Sequence, residues 1–123
     1  MVSWNNLDTL SSYKELADVK PACLTEVMSG DNGAERVKNY SIPMAAGLSY
    51  NYASKQVDEN VLAALEKLAD EAQLADKFKA LYNGEVVNTG EKRLVLHHMT
   101  RGQLGDAVEA DGVDKRTFYK TQQ

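Results

Sequence analysis

Cysteine is nearly absent from this sequence: Cys23 is the only one among 123 residues. A lone cysteine cannot form an intrachain disulfide, so a reducing compartment, the cytoplasm, is the simplest interpretation. The same scarcity excludes the cysteine-based ligand sets of structural zinc sites. Cys23 lies between Ala22 and Leu24, with no basic neighbour that would activate its thiol, and we expect a small buried hydrophobic residue.

Long apolar runs and an excess of basic charge are also missing. The longest uncharged stretch, residues 39–54, is interrupted by Pro43, Asn51 and several hydroxyl groups, so we expect no membrane span. The first residues, MVSWNNLD, show neither the basic nor the apolar part of a secretory signal. The net charge is -4. We therefore predict neither nucleic acid nor a membrane as a partner.

The motifs of common catalytic sites do not occur in the sequence. It contains no GxSxG, no GxxxxGKS/T and no GxGxxG, so the nucleophile elbow, the phosphate loop and the dinucleotide fingerprint are excluded. His97 and His98 are adjacent, and neighbouring helix positions point in different directions, so one metal ion cannot easily bind both. We expect no metal and no cofactor, and the motifs assign no catalytic residue.

What the sequence does contain is helical periodicity in a chain the size of one domain or part of one. The predicted fold class is mainly α with one small β-hairpin. We predict helices at about residues 7–18, 21–29, 59–73, 75–83, 91–101 and 115–123, with hairpin strands at about 37–42 and 48–53. Residues 29–34 are rich in glycine, asparagine and aspartate and predict a loop.

Three residues carry the signals of helix ends. Asp58 and Asp114 are good N-caps for the helices that follow them, and Gly84 is suited to a left-handed C-cap. Beyond Asp114 only about two turns of helix remain, which is marginal for an isolated helix in water and is typical of a truncated chain.

Two apolar patterns predict buried faces. On the helix after Asp58, residues spaced three and four apart form a stripe that predicts a core face, although such a stripe can also dock a partner. In the second hairpin strand, alternating apolar residues predict a half-buried face, whose tyrosines could instead form a ligand platform. The helical stripe comprises Val61, Leu62, Leu65, Leu68, Ala69 and Ala72, and the strand face comprises Leu48, Tyr50 and Tyr52.

A cationic edge is predicted near residue 100. Arg93, His97 and Arg101 are spaced i, i+4 and i+8 and would share one edge of the helix predicted at 91–101. Two arginines on one edge suit phosphate or carboxylate binding. The alternative is ordinary ion pairing with the acidic side chains of the same chain.

The segment Gly84–Arg101 reads GEVVNTGEKRLVLHHMTR. It resembles the pattern G-E-x-x-N-x-T-E-x-R-x-V-L-H-x-x-x-R of the glucose-6-phosphate isomerase family. Leu48–Gln56 is similar to the family strand ending in D-Y-S-K, and Val57–Ala72 to its next helix, I-T-x-E-x-L-x-x-L-x-x-L-A. Gly90 replaces the family threonine, and Lys55 lies one position later than the family lysine.

The resemblance implies the N-terminal helical segment of an α/β enzyme built on sugar-isomerase domains. Such an enzyme interconverts glucose 6-phosphate and fructose 6-phosphate as a cytoplasmic homodimer, without cofactor or metal. In the family, the catalytic glutamate, histidine and lysine and the phosphate loops follow the part matched here, so no residue of this chain takes a catalytic role. Two alternatives stay open: a stand-alone helical interaction module, and a phosphosugar sensor that uses Arg93 and Arg101.

Overall fold

A computed structural model describes residues 2–102 and 105–122. These residues are mainly helical, as predicted, but they form three small hairpins rather than one. The α-helices are α1 (Ser11–Asp18), α2 (Leu24–Val27), α3 (Gly30–Asn39), α4 (Glu59–Glu71), α5 (Leu74–Tyr82) and α6 (Lys115–Lys120). Short 3-10 helices occupy Leu7–Thr9, Ala45–Gly47 and His97–Arg101. The strands pair in sequence as antiparallel hairpins: β1 (Ser41–Pro43) with β2 (Ser49–Asn51), β3 (Val86–Asn88) with β4 (Arg93–Leu94), and β5 (Glu109–Ala110) with β6 (Val113–Asp114).

The chain divides into two compact units. The first, called the hairpin unit here, is residues 10–68 and contains α1 to α3, the β1–β2 hairpin and most of α4. The second, called the tail unit, is residues 2–9 with 69–122 and contains α5, the other two hairpins and α6.

The start of the hairpin unit differs from the sequence prediction. Most of residues 29–34, predicted as a loop, form the first turns of α3, and Val37 lies in that helix rather than in a strand. The negative charge of Asp31 in the first turn interacts favourably with the positive end of the helix dipole, so these loop-forming residues are compatible with a helix start. Gly33 is required by packing, because a Cβ there would lie 2.4 Å from the carbonyl oxygen of Met28.

The apolar faces that the sequence predicts to be buried are exposed on the β1–β2 hairpin and only partly covered on α4. Leu48 is 65% exposed and Tyr50 48% exposed, so the inward-facing strand predicted from the alternating pattern is wrong for these residues. The predicted α4 stripe is only partly enclosed: Ala72, just beyond the helix, is buried, Leu65 is 40% exposed, and the other four residues are half-buried. Cys23, predicted to be buried, is exposed as well.

Helix α4 does begin as predicted. The Oδ1 atom of Asp58 accepts a hydrogen bond from the backbone N–H of Val61 at 2.9 Å, and this contact confirms the N-cap. Its exposed face carries an ion pair between Lys67 and Glu15 of α1.

The helix predicted at residues 91–101 is wrong. Arg93 and Leu94 form β4, and only His97–Arg101 turns as a 3-10 helix. The side chain of Asn88 accepts a hydrogen bond from the backbone N–H of Glu91 at 3.2 Å, as a helix cap would. Here that bond closes a turn between β3 and β4, and Lys92 has a left-handed φ of 53°. A hydrogen bond between an asparagine side chain and the backbone three residues later occurs both in turns and at helix starts, so Asn88 alone does not distinguish the two.

The tail unit has a small hydrophobic cluster. Leu96, Met99 and Val108 are buried together, with Leu94 and Tyr119 packed against them. The 3-10 helix places Met99 at the centre of this cluster, where its side chain is fully buried.

Gly84 ends α5 as predicted, in a left-handed conformation with φ of 72°. The backbone N–H of Gly84 donates to Leu81 and that of Glu85 to Ala80, the two hydrogen bonds of a Schellman motif. The position is also crowded, since a Cβ on Gly84 would lie 2.3 Å from Cγ1 of Val108.

Replacing Gly84 by alanine should lower the free energy of unfolding more than the same change at Gly112. Both glycines have φ of 72°, but nothing lies within 4 Å of a Cβ at Gly112. We expect Gly112→Ala to cost about 1 kcal/mol from left-handed strain alone. Gly84→Ala should cost roughly 1–3 kcal/mol more, because the added methyl overlaps the buried Val108. Urea unfolding followed by circular dichroism measures both; equal losses would show that the Val108 contact does not limit this position.

Candidate functional site

Arg36, on α3, is buried to 7% exposure and holds the segment that joins β2 to α4. Its Nε atom donates to the carbonyl oxygen of Ala53 at 2.8 Å. Its Nη2 atom donates to the carbonyl oxygens of Lys55 at 3.0 Å and Val57 at 2.6 Å. The guanidinium group therefore satisfies three backbone acceptors in the stretch that resembles the family D-Y-S-K motif. We call this arrangement the Arg36 clamp.

Tyr40 and Tyr52 form an aromatic layer beside the clamp. The guanidinium carbon of Arg36 lies 4.0 Å from the ring centroid of Tyr40, a cation–π contact, and the rings of Tyr40 and Tyr52 are 5.0 Å apart. The hydroxyl group of Tyr40 donates to Oε2 of Glu59 at 2.9 Å. Burial, followed by the hydrogen bond to the Glu59 carboxylate, raises the pKa of Tyr40 above its usual value. Tyr40 is therefore a neutral hydrogen-bond donor in physiological conditions rather than a base.

The chemistry available at the clamp is structural. Backbone carbonyl oxygens already occupy the Nε and Nη2 donors of Arg36, so these two groups are not free to bind an anion. Asn51 strengthens the same connection, since its side chain donates to the carbonyl oxygen of Val37 at 2.6 Å and accepts from the backbone N–H of Ala53 at 3.1 Å. The clamp fixes the chain path that leads from the hairpin into α4.

Arg116 has a role in the tail unit similar to that of Arg36 in the hairpin unit. It is buried at the start of α6, donates from Nη2 to the carbonyl oxygen of Tyr82 at 2.6 Å and from Nε to that of Asp106. The ring of His98 stacks on Tyr82 with 4.7 Å between centroids. Among the described residues, the buried Nη1 of Arg116 and Nε2 of His98 have no hydrogen-bond partner. Gly105 leaves room for the guanidinium group, because a Cβ there would lie 2.8 Å from Nη2.

Asp114 caps α6 as predicted. Its carboxylate accepts hydrogen bonds from the backbone N–H groups of Arg116 at 3.0 Å and Thr117 at 3.3 Å, and from the Thr117 hydroxyl at 2.6 Å. The hydroxyl bond, supported by the backbone donors, lowers the pKa of Asp114 below its usual value. This perturbed carboxyl group thus has a capping role and stays ionised at neutral pH.

The predicted cationic edge is not built as expected. Arg93 lies in β4 and is 76% exposed at its side chain, where it forms an ion pair with Glu91 at 3.8 Å. His97 and Arg101 are exposed at the two ends of the 3-10 helix. The i, i+4, i+8 geometry therefore does not apply, because it required one continuous α-helix. Anion binding by Arg93, His97 and Arg101 stays a prediction.

No group of three or more histidine, cysteine, aspartate or glutamate side chains in residues 2–102 and 105–122 is arranged to hold a metal ion. None of the helices in the described part of the chain combines the length and apolar content needed to cross a membrane.

Sequence reasoning missed both buried arginines. Arginine is rarely buried, so the default expectation for Arg36 is a surface cation. A weak signal was the spacing of Gly33 and Arg36, which puts both on one side of α3 where the helix meets other backbone. For Arg116 the signal was its place two residues after a helix cap, in a turn already held by Asp114.

The buried arginines and the helix caps describe how the two units are held locally, and comparison with known proteins identifies the family of the chain. The family model for phosphoglucose isomerase matches residues 51–121, which is more than half of the chain. The chain therefore belongs to the phosphoglucose isomerase family. The match begins at Asn51, at the end of β2, and includes the clamped segment, α4 and the part of the tail unit from α5 through α6.

Comparison with individual proteins supports this family membership. The chain is 43% identical over 123 residues to the glucose-6-phosphate isomerase of Treponema denticola and 47% identical over 122 residues to that of Treponema pallidum, each covering 96% of this chain. It is 41% identical over 124 residues to that of Borreliella afzelii, covering 99% of this chain. In all three cases the chain spans only 23% of the relative's own length.

Arg36→Lys should destabilise the hairpin unit, whereas Arg93→Lys should not. A lysine keeps the charge but cannot reach three carbonyl oxygens with the geometry of a guanidinium group. We expect a loss of about 2 kcal/mol for Arg36→Lys, since hydrogen bonds to a charged group are lost and the carbonyl oxygen of the buried Ala53 is left unpaired. The exposed Arg93→Lys is the matched control, with a change within about 0.5 kcal/mol. Urea unfolding of both variants tests this, and an equal effect would refute the clamp.

Asp114 should make stability depend on pH in the acid range. Its folded-state pKa is lower than its unfolded value, so its contribution is present above the unfolded pKa and is lost as pH falls through the folded pKa. Wild type should exceed Asp114→Asn in unfolding midpoint at neutral pH, and the gap should close in acid. Thr117→Val removes the hydroxyl donor and should raise the pKa of Asp114 measured by NMR titration. A gap that is unchanged across this range would contradict the assignment.

Proposed function

We propose that this chain is the N-terminal part of a glucose-6-phosphate isomerase, which interconverts glucose 6-phosphate and fructose 6-phosphate in glycolysis and gluconeogenesis. The observation that carries the proposal is the identity of 41–47% to isomerases of this name over at least 96% of the chain. The family match over residues 51–121 supports the same assignment.

The chain's role in that enzyme is to provide scaffold. Aldose–ketose isomerisation requires an acid to open the sugar ring and a base to move a proton between C1 and C2. The described side chains with clearly shifted pKa values have other roles. Tyr40 is hydrogen-bonded to Glu59, and Asp114 caps α6. We therefore propose that the groups that move protons belong to the remainder of the enzyme, and that the 123-residue chain alone is inactive.

The rest of the proposal follows the family resemblance. The complete enzyme acts on sugar phosphates as a cytoplasmic homodimer and uses no metal or cofactor. The phosphate of the substrate is held by loops outside this chain.

A graft into a relative tests the proposal. The matching 23% of the Treponema denticola enzyme is replaced by this chain. The graft should form glucose 6-phosphate from fructose 6-phosphate at a rate within about tenfold of the parent, because a scaffold exchange perturbs the reacting groups by little more than about 1.4 kcal/mol. The isolated chain, assayed in parallel, should show no turnover.

Two controls make the result interpretable. The parent enzyme with the matching part deleted should be inactive, which shows that activity of the graft depends on the inserted chain. A graft that is folded by circular dichroism but inactive would refute the assignment, and turnover by the isolated chain would refute the scaffold role.

A further inference from the structure

One side of the hairpin unit carries an open apolar groove of about 360 Å³. The β1–β2 hairpin forms one wall and α4 the other, with the clamped segment at the base of the connection between them. Its lining residues are Ile42, Tyr50, Tyr52, Lys55, Val57, Leu62 and Leu65. A single charged residue, Lys55, interrupts an otherwise aliphatic and aromatic surface.

Four of the seven lining residues belong to the sequence patterns that predict buried faces. Tyr50 and Tyr52 belong to the alternating pattern of residues 48–52, and Leu62 and Leu65 to the apolar stripe of α4. Ile42 pairs directly with Tyr50 across the hairpin, and both are about half exposed. Apolar side chains on two facing elements are the kind of surface that a domain buries against a further element. The sequence pattern predicts burial while the side chains are partly exposed, and the two are consistent if another polypeptide covers the groove.

The length of the relatives indicates what that polypeptide is. The chain corresponds to 23% of each of three named isomerases, so about three-quarters of an enzyme of this family is additional chain. A segment that packs within a larger enzyme must present an apolar face to the rest of it, because domain cores are built by burying such faces against another element.

We infer that the groove between the β1–β2 hairpin and α4 is the surface on which the remaining three-quarters of the isomerase packs, through an apolar segment that covers Tyr50 and Leu65. This inference rests on the proposed function and adds the location of the contact to it. The Arg36 clamp sets the shape of the groove, since it fixes the carbonyl oxygens of Lys55 and Val57, two lining residues at the base of the groove.

Covalent footprinting of Tyr50 and Leu65 tests the inference without any substitution. The isolated chain and the Treponema denticola graft described above are labelled with a photoactivated carbene, and the modified residues are identified by mass spectrometry. We expect at least fivefold less labelling of both residues in the graft. Equal labelling in the two proteins would overturn the inference.

A pair of variants on α4 provides a second readout. Leu65→Lys places a charge in the groove, whereas Ala63→Lys places the same residue at an exposed position on another side of the helix, two residues away. In the graft, Leu65→Lys should lower the thermal unfolding midpoint by several degrees and Ala63→Lys by much less. In the isolated chain neither should change the midpoint appreciably, because Leu65 is already solvent-exposed there. Equal effects of the two variants in the graft would overturn the inference.

The alternative occupant is a second copy of this chain, which sedimentation of the isolated chain detects. Dimerisation that Leu65→Lys abolishes and Ala63→Lys preserves would replace the inference by self-association. These readouts are independent of activity: an inactive graft that still protects Tyr50 would refute the proposed function while supporting the groove, and an active graft with a labelled groove would do the reverse.

Discussion

The hairpin unit depends on one guanidinium group. Arg36 leaves α3 and donates to three carbonyl oxygens within residues 53–57, and the stacked ring of Tyr40 closes one face of the group. Without these bonds the segment after β2 would carry unpaired carbonyl groups, and the loss would be largest at the buried Ala53. The direction in which the chain enters α4, and therefore the relation of that helix to the hairpin, follows from this contact.

Local signals in the sequence were reliable where a single side chain determines the geometry. Asp58, Gly84 and Asp114 act as helix caps because each effect depends on a hydrogen bond or a φ value within a few residues. The helix predicted at 91–101 failed because Asn88 and Glu91 can close a hairpin turn as well as start a helix. Only contacts distant in sequence, here the burial of Leu96 and Met99 against Val108, decide between the two.

The candidate site could be predicted in part. The resemblance carried by the residues around Leu48–Arg101 identified the family that the comparisons then established. Neither buried arginine could be read from the sequence, because their partners are backbone carbonyl groups, which every residue has. The apolar faces of β2 and α4 were recognised correctly as patterns, but pattern alone does not state whether the covering surface lies within these 123 residues.

The partners of Arg36 lie 17 to 21 positions further along the chain. During synthesis, which proceeds from the N-terminus, Arg36 leaves the ribosome before any of these acceptors, so its guanidinium group stays hydrated until residues 53–57 emerge. The hairpin and the beginning of α4 must then organise together around a group that is already present. The clamp therefore cannot form before residues 53–57 are available, and a translational pause ahead of that point would leave the guanidinium group without its acceptors.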